Sequence, residues 1–251
     1  MKKRAVFNEI RQVLYPDDIR CMVCGREMHP SRYGLCETCK LSLNDNYCLR
    51  CGKHKVGIGD YCDECIKLSL KFDEARSAVN YDAAAKSIVH RLKYGNARYL
   101  ANILSQYLFD VLLREHDEWD FDCITFVPIH KNRERKRGYN QAKLLALATA
   151  ERVDKPCLDL LEKIRATPNQ ASLGAHERFT NLNGAFSVKA KPPEHVVLID
   201  DVMTTGATAS ECARTLKNAG AKIVYVLTFA SVPEQPVLDT QVQNISEFRN
   251  Q

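Results

Sequence analysis

From residue 72 to residue 230, short apolar runs alternate with longer stretches whose apolar positions recur every three or four residues. Asp73 to Tyr81 reads as extended. Ala83 to Lys93 reads as a helix that turns Ile88, Val89 and Leu92 inward, and Leu100 to Leu113 as a second helix with Ile103, Leu104, Tyr107, Leu108 and Val111 on one face. Cys123 to Val127 is an apolar strand stopped by Pro128, and Asn140 to Val153 is helical with Leu144, Leu145, Leu147 and Ala148. His195 to Ile199 is a second uninterrupted apolar strand. A polar turn follows, then a helix from about Ala207 to Ala219 that Gly220 ends, then a strand from Lys222 to Phe229. Apolar strands alternating with helices predict an α/β fold: a parallel sheet covered by helices on both faces, with ligands at the carboxyl ends of the strands.

Before this stretch the pattern is different. Eight of the eleven cysteines form four Cys-x-x-Cys pairs, Cys21/Cys24, Cys36/Cys39, Cys48/Cys51 and Cys62/Cys65. A pair in a tight turn offers two sulfurs to one tetrahedral Zn²⁺, and two turns complete a site. Gly25 and Gly52, directly after the second cysteine of their pairs, suit the backbone of such a knuckle. The spacing favours sequential pairing, with Cys21, Cys24, Cys36 and Cys39 on one ion and Cys48, Cys51, Cys62 and Cys65 on another, but it leaves an interleaved pairing open. Four thiolates leave no open coordination position, so one or two structural Zn²⁺ ions are expected, supplying folding energy to a module too small for a core of its own. The other three cysteines, Cys123, Cys157 and Cys212, read as small core residues. The expected organisation is a lead-in over residues 1–20, a double zinc ribbon over 21–66, an α/β domain over 67–230 and a flexible tail over 231–251.

Composition narrows the function classes. Hydrophobic residues make up 45% and charged residues 27%, a soluble globular mix, and no apolar run approaches the roughly 18 residues that span a bilayer. Met1-Lys2-Lys3-Arg4 is followed by no signal-peptide core, so a cytoplasmic protein with no membrane insertion is expected. The formal net charge is +5, but ligating thiols are deprotonated, and two four-thiolate zinc sites bring it to about +1. The basicity is local, concentrated in His130-Lys131-Asn132-Arg133-Glu134-Arg135-Lys136-Arg137.

The most informative stretch runs from Val196 through Ile199 into Asp200-Asp201-Val202-Met203-Thr204-Thr205-Gly206-Ala207-Thr208. A buried strand delivers two carboxylates and then a hydroxyl-rich turn that opens a helix. Amides at a helix N-terminus bind phosphate. The paired acids fit sugar hydroxyls, so the site suits a ribose 5′-phosphate. This string resembles the phosphoribosyl pyrophosphate (PRPP) motif of type I phosphoribosyltransferases. The resemblance places Asp200 and Asp201 beside the ribose hydroxyls and Met203, Thr204, Thr205, Gly206, Ala207 and Thr208 around the 5′-phosphate.

Two further segments belong with it. The basic octad, followed by Arg137-Gly138-Tyr139-Asn140-Gln141, opens a helix at a strand's carboxyl end, where pyrophosphate would be held. The polar stretch from Arg165 through Arg178 to Phe186 is long enough to act as a lid over a reactive centre. The whole series of cysteine pairs, His90-x-Leu92-Lys93-Tyr94-Gly95, the Arg137 segment, the Arg165 to Phe186 string and the PRPP motif resembles the competence protein F (ComF) family over nearly all of residues 21–230. That resemblance implies a double zinc ribbon joined to a type I phosphoribosyltransferase-like domain, and a link to DNA uptake and single-stranded DNA handling in natural competence. It implies Mg²⁺ arriving with PRPP. Lys93, Arg133, Arg135, Arg137, Gly138, Arg165 and Arg178 are its pyrophosphate or flexible-loop candidates. A phosphoribosyltransferase (pentosyltransferase) with an unnamed acceptor is the first expectation. A PRPP-sensing or DNA-binding protein without transfer is the alternative, with other DNA-uptake proteins as partners and Tyr33, Tyr47, Tyr61 and Tyr139 as places to look for base stacking.

Overall fold

The computed structural model describes residues 20–29, 31–55, 58–115, 117–166 and 180–234. The expected lead-in over residues 1–20, except Arg20 itself, and the tail beyond residue 234 lie outside these, as does Arg178. Six strands are described, β1 (Glu74–Asn80), β2 (Cys123–Phe126), β3 (Leu161–Lys163), β4 (Phe186–Val188), β5 (His195–Met203) and β6 (Ile223–Ser231). The α-helices are α1 (Asp63–Lys67), α2 (Ala83–Tyr94), α3 (Leu100–Arg114), α4 (Lys131–Arg137), α5 (Gln141–Val153) and α6 (Ala207–Asn218). Four strands form a wholly parallel sheet in the order β1-β6-β5-β2, while β3 and β4 form a separate antiparallel hairpin. The expected α/β architecture is the one observed.

The uninterrupted apolar strands are buried on both faces, as the pattern requires: Val196, Val197, Leu198 and Ile199 of β5 are all fully buried. Helices α3 and α5 pack on one face and α6 on the other, with β4 of the hairpin against α6. Helix α2 starts just past the end of β1, capped by Asp82 accepting from the Ala85 amide. Its last turn reaches β5, so it lies across the carboxyl edge of the sheet. The basic octad, legible in sequence only as a charged run, folds as α4.

The cysteine module is joined to the sheet. Strand β1 has β6 on one side and the ribbons on the other. The Asn44 amide donates to Ala78 O, the Asn80 amide to Ser42 O and the Ala75 amide to Arg50 O, at 2.9–3.1 Å. Gly52 sits at the closest approach with φ +66, where a Cβ would fall 2.5 Å from Ala75 O. Neither the dihedral nor the space admits another residue. Beneath this contact the buried Arg76 meets Glu115 and Glu74 at 3.0 Å each and donates to Leu49 O, with its guanidinium over the Tyr47 ring. The first ribbon is held similarly, by Arg91 donating to Met22 O and Val23 O and by Tyr33 stacking on Tyr107 at 3.7 Å. After β6 the chain returns to the second ribbon, where Glu234 accepts from the Asp63 amide at 2.8 Å.

Candidate functional site

Strand β5 ends at Met203, and Gly206 turns the chain into α6 with φ +77. A Cβ there would meet only ordinary contacts, 3.6 Å from the Phe72 ring. The left-handed conformation, not crowding, is therefore what selects glycine. The turn exposes Thr204, leaves Thr205 and Thr208 half-buried, and lines a cavity of about 20 Å³ together with Asp200, Met203, Gly206 and Ala207. That is room for a water or a single phosphate oxygen, backed by the amides of the first turn of α6, of which that of Ala207 donates to Thr205 Oγ1 at 3.4 Å.

Successive residues on a strand face opposite ways, so the paired acids divide. Asp201 is buried and faces α2, where Lys93 Nζ lies 2.5 Å from its Oδ2. Burial opposes the Lys93 charge, but Asp201 beside it and Asp200 beyond outweigh this, and its pKa ends above the ordinary lysine value. Asp200 turns towards the other face, with its Oδ1 accepting from the Asp201 amide at 2.8 Å. Desolvation and the neighbouring Asp201 push its pKa well above the carboxylate range. Its ionised form lacks sufficient support, and hydroxyl donors or a cation would supply it.

Beside the acids lies a second cavity, of about 550 Å³, lined by Lys93, Tyr94, Asn96, Arg133, Lys136, Arg137 and Tyr139. Helix register decides which cations of the octad reach it. Arg133, Lys136 and Arg137 are spaced i, i+3, i+4 on α4 and share one side. Arg135 is not on that side and is not among the residues that line the cavity. The His130 imidazole accepts from the Asn132 amide at the start of α4, and Gly138 ends the helix. Arg137 is braced by Gln141 and the Tyr94 hydroxyl, both at 3.0 Å. Lys93 belongs to both places: it lines the cavity and holds Asp201. Sequence reasoning named Lys93 and Arg137 but not Lys136, Tyr94 or Asn96 as site residues.

Arg165 has another task. Its guanidinium donates to Asn181 O at 2.9 Å and Asn183 O at 3.0 Å, tying together the two ends of the segment between β3 and β4. The Gly184 amide donates to Glu211 Oε1 at 2.7 Å, fastening the hairpin to the second turn of α6. Burial opposes the Glu211 charge, but Arg214 and this amide hold its pKa below the usual value.

The cysteines gather into two quartets, Cys21/Cys24/Cys36/Cys39 and Cys48/Cys51/Cys62/Cys65, each with all its sulfurs within 4.8 Å of one another. The pairing is sequential. A tetrahedral site with Zn–S bonds of about 2.3 Å has an S–S edge of about 3.8 Å. Cys24 and Cys36 are 3.7 Å apart, and Cys51 and Cys62 3.6 Å, so both quartets fit Zn²⁺. Hydrogen bonds from the other three thiols hold the Cys48 pKa far below the ordinary value, while Cys51 and Cys65, bonded to Cys48, are pushed far above it. A divalent cation resolves that crowding by taking all four as thiolates. Cys24 is exposed, whereas three of the four cysteines in the second quartet are buried. His54 is half-buried in the second ribbon hairpin. Of the tyrosines considered for base stacking, Tyr33 and Tyr47 are packed between ribbon and sheet, and Tyr139 is buried with its hydroxyl on Leu92 O. Tyr61 is exposed.

Comparison with known proteins adds the following. A double zinc ribbon domain model matches residues 10–66, and a phosphoribosyl transferase domain model matches residues 96–248. Competence protein F of Haemophilus influenzae is 29% identical over 218 residues, covering 83% of this chain and 95% of that protein. DNA utilization protein YhgH of Salmonella typhimurium is 28% identical over 215 residues, covering 82% and 94%. Among solved structures, a hypoxanthine phosphoribosyltransferase of Staphylococcus aureus matches with 10% identity and a TM-score of 0.34, covering 53% of this chain and 74% of that one. No helix among the described residues is long and apolar enough to cross a membrane.

Proposed function

The chain belongs to the phosphoribosyl transferase family, and on that footing we propose that it binds Mg²⁺-PRPP across the carboxyl edge of its sheet. The ribose 5-phosphate lies on the β5–α6 turn, held by the amides and hydroxyls of Met203 to Thr208. Asp200 and Asp201 accept from the ribose hydroxyls, and the pyrophosphate enters the cavity of Lys93, Arg133, Lys136 and Arg137. One observation carries this reading: Lys93 lines the cationic cavity and also pairs with Asp201. It sets the two halves side by side, as a sugar joined to a diphosphate at C1′ requires.

The chemistry that fits is substitution at C1′. The cations would stabilise the charge that develops on the departing diphosphate, and the stretch from Arg165 to Phe186 would be the lid that excludes water. Bound Mg²⁺ supplies further screening of the diphosphate. Asp200, poorly supported as an anion in its present surroundings, fits a carboxylate that gains its partner from ribose hydroxyls or that cation. The relatives are named a competence protein and a DNA utilization protein, and within such a role we infer cytoplasmic handling of single-stranded DNA during natural competence, together with other uptake proteins.

Calorimetric titration with Mg²⁺-PRPP tests the site, and a pyrophosphate-release screen with nucleobases, ammonia and DNA ends tests the reaction. Tight binding that is lost when Asp200 and Asp201 are both changed to Asn is expected. Unchanged affinity in that double variant would remove the sugar from this place. Binding with no release under any condition would make PRPP a regulatory ligand and not a donor.

A further inference from the structure

We propose that Arg91 is a positioning residue through which the first zinc ribbon sets Lys93, so that zinc in the Cys21/Cys24/Cys36/Cys39 quartet and PRPP reinforce each other's binding. This rests on the PRPP reading above. It gives the ribbon a part in the site beyond holding its own fold.

Helix α2 crosses the carboxyl edge of the sheet and is not among the helices packed on its faces. Its last turn nevertheless carries site residues. Lys93 pairs with Asp201 and lines the cationic cavity, and the Tyr94 hydroxyl braces Arg137 at 3.0 Å. Arg91 and Lys93 are two positions apart, about 200° around the helix, so their side chains leave on opposite sides. Leu92, between them in sequence, is fully buried. The last turn is therefore held from two directions, by Asp201 on one side and by the partners of Arg91 on the other.

Those partners belong to the first knuckle. Arg91 Nη1 donates to Met22 O at 3.2 Å and to Val23 O at 2.6 Å, and Nη2 donates to the Tyr99 hydroxyl at 2.8 Å, just before α3. Met22 and Val23 are the two residues between Cys21 and Cys24, in a turn closed by the Gly25 amide donating to Cys21 O at 2.7 Å. Zinc supplies the folding energy of so small a module, so the direction of both carbonyls follows from the metal. Attachment of the ribbon has its own contacts on α3: Tyr33 stacks on Tyr107, and its hydroxyl donates to Asp110 at 2.5 Å. Arg91 adds a contact to α2, two residues from Lys93. A metal that fixes Lys93 in this way raises PRPP affinity, and PRPP must then raise the affinity for that metal by the same factor. Cys24 is exposed, whereas Cys48, Cys51 and Cys62 are buried, so the first zinc is the one a chelator reaches sooner.

The test treats the zinc-loaded full chain with a chelator and N-ethylmaleimide, with and without Mg²⁺-PRPP, and follows labelling of Cys24 and Cys65 by peptide mass spectrometry. Mg²⁺-PRPP should slow labelling of Cys24 by about 10-fold, within the usual range of coupling between linked sites, and leave Cys65 nearly unchanged. Arg91→Met should lower PRPP affinity by a similar factor in calorimetry and abolish the protection of Cys24. Arg91→Lys, which keeps the charge but not the forked donors, should retain part of both. Equal slowing at Cys24 and Cys65 would mean general stabilisation by the ligand and overturns the proposal. So does a wild type that binds PRPP with no change at Cys24, or an Arg91→Met variant that binds PRPP as the wild type does; either leaves the PRPP site standing. A wild type that binds no PRPP overturns the site as well. Should Arg91→Met fail to fold, the contrast between Cys24 and Cys65 in the wild type decides.

Discussion

On the proposed reading the β5–α6 turn and the α4 cavity would both take phosphate, but by opposite physics. The turn uses backbone amides, threonine hydroxyls and a glycine in a left-handed conformation, in a space of about 20 Å³ with no lysine or arginine in its lining. The cavity is many times larger and relies on Lys93, Arg133, Lys136 and Arg137. Oriented dipoles in a tight space select by shape and are little affected by salt. Flexible cations in an open cavity select by charge and are screened by it. The two regions should therefore respond differently to the same perturbations.

The largest effect is expected at the acids between them. Changing Asp200 and Asp201 together to Asn should reduce PRPP affinity by ~100-fold or more, since several charge-assisted hydrogen bonds go at once. Calorimetry should still find pyrophosphate binding to the cavity of the same variant. Charge reversal at Arg133 and Arg137 should do the converse. Pyrophosphate affinity falls by roughly 30-fold and loses much of its dependence on ionic strength, while ribose 5-phosphate affinity hardly changes. Equal losses for both ligands would mean that the halves are not separate. Gly206→Ala places a side chain in the left-handed region at a cost of about 1–2 kcal/mol. It should weaken ribose 5-phosphate by about 10-fold, measured by competition, with pyrophosphate unaffected.

The smallest effect is thermodynamic. The pKa of Asp200 is higher in the folded chain than in the unfolded one, so the native state holds the additional proton. Stability from that proton is present at low pH and is lost as the pH rises through the folded value. Melting curves of Asp200→Asn against wild type should diverge as the pH rises towards neutral, the variant being more stable by a few degrees. Added Mg²⁺-PRPP should narrow the gap by stabilising only the wild type.

How much of this was legible in the sequence follows from the range of the interactions. The phosphate turn is local: strand, acids, threonines and glycine are contiguous, and their order alone conveys the geometry. The cysteine quartets are nearly as local, although the spacing left the pairing open and the fold made it sequential. The cavity is not local. Its division of the octad, Arg137 lining and Arg135 not, depends on a helix of seven residues that a charged run does not announce. The pairing of Lys93 with Asp201 spans more than a hundred residues. The packing of Tyr33 is hidden for a related reason: its partner, Tyr107, lies on a helix of the other module.

The contact between Gly52 and β1 has a consequence for anyone who would divide the chain. Its ribbons do the work of a missing outer strand, satisfying amides and carbonyls along β1 and closing over the Arg76–Glu115 pair. A truncation starting after residue 66 would inherit a bare strand with buried charges laid open, the kind of surface on which chains adhere to one another. The thiolate-bound metal would thus protect the larger half of the molecule from self-association, although it stands apart from the place proposed for the sugar.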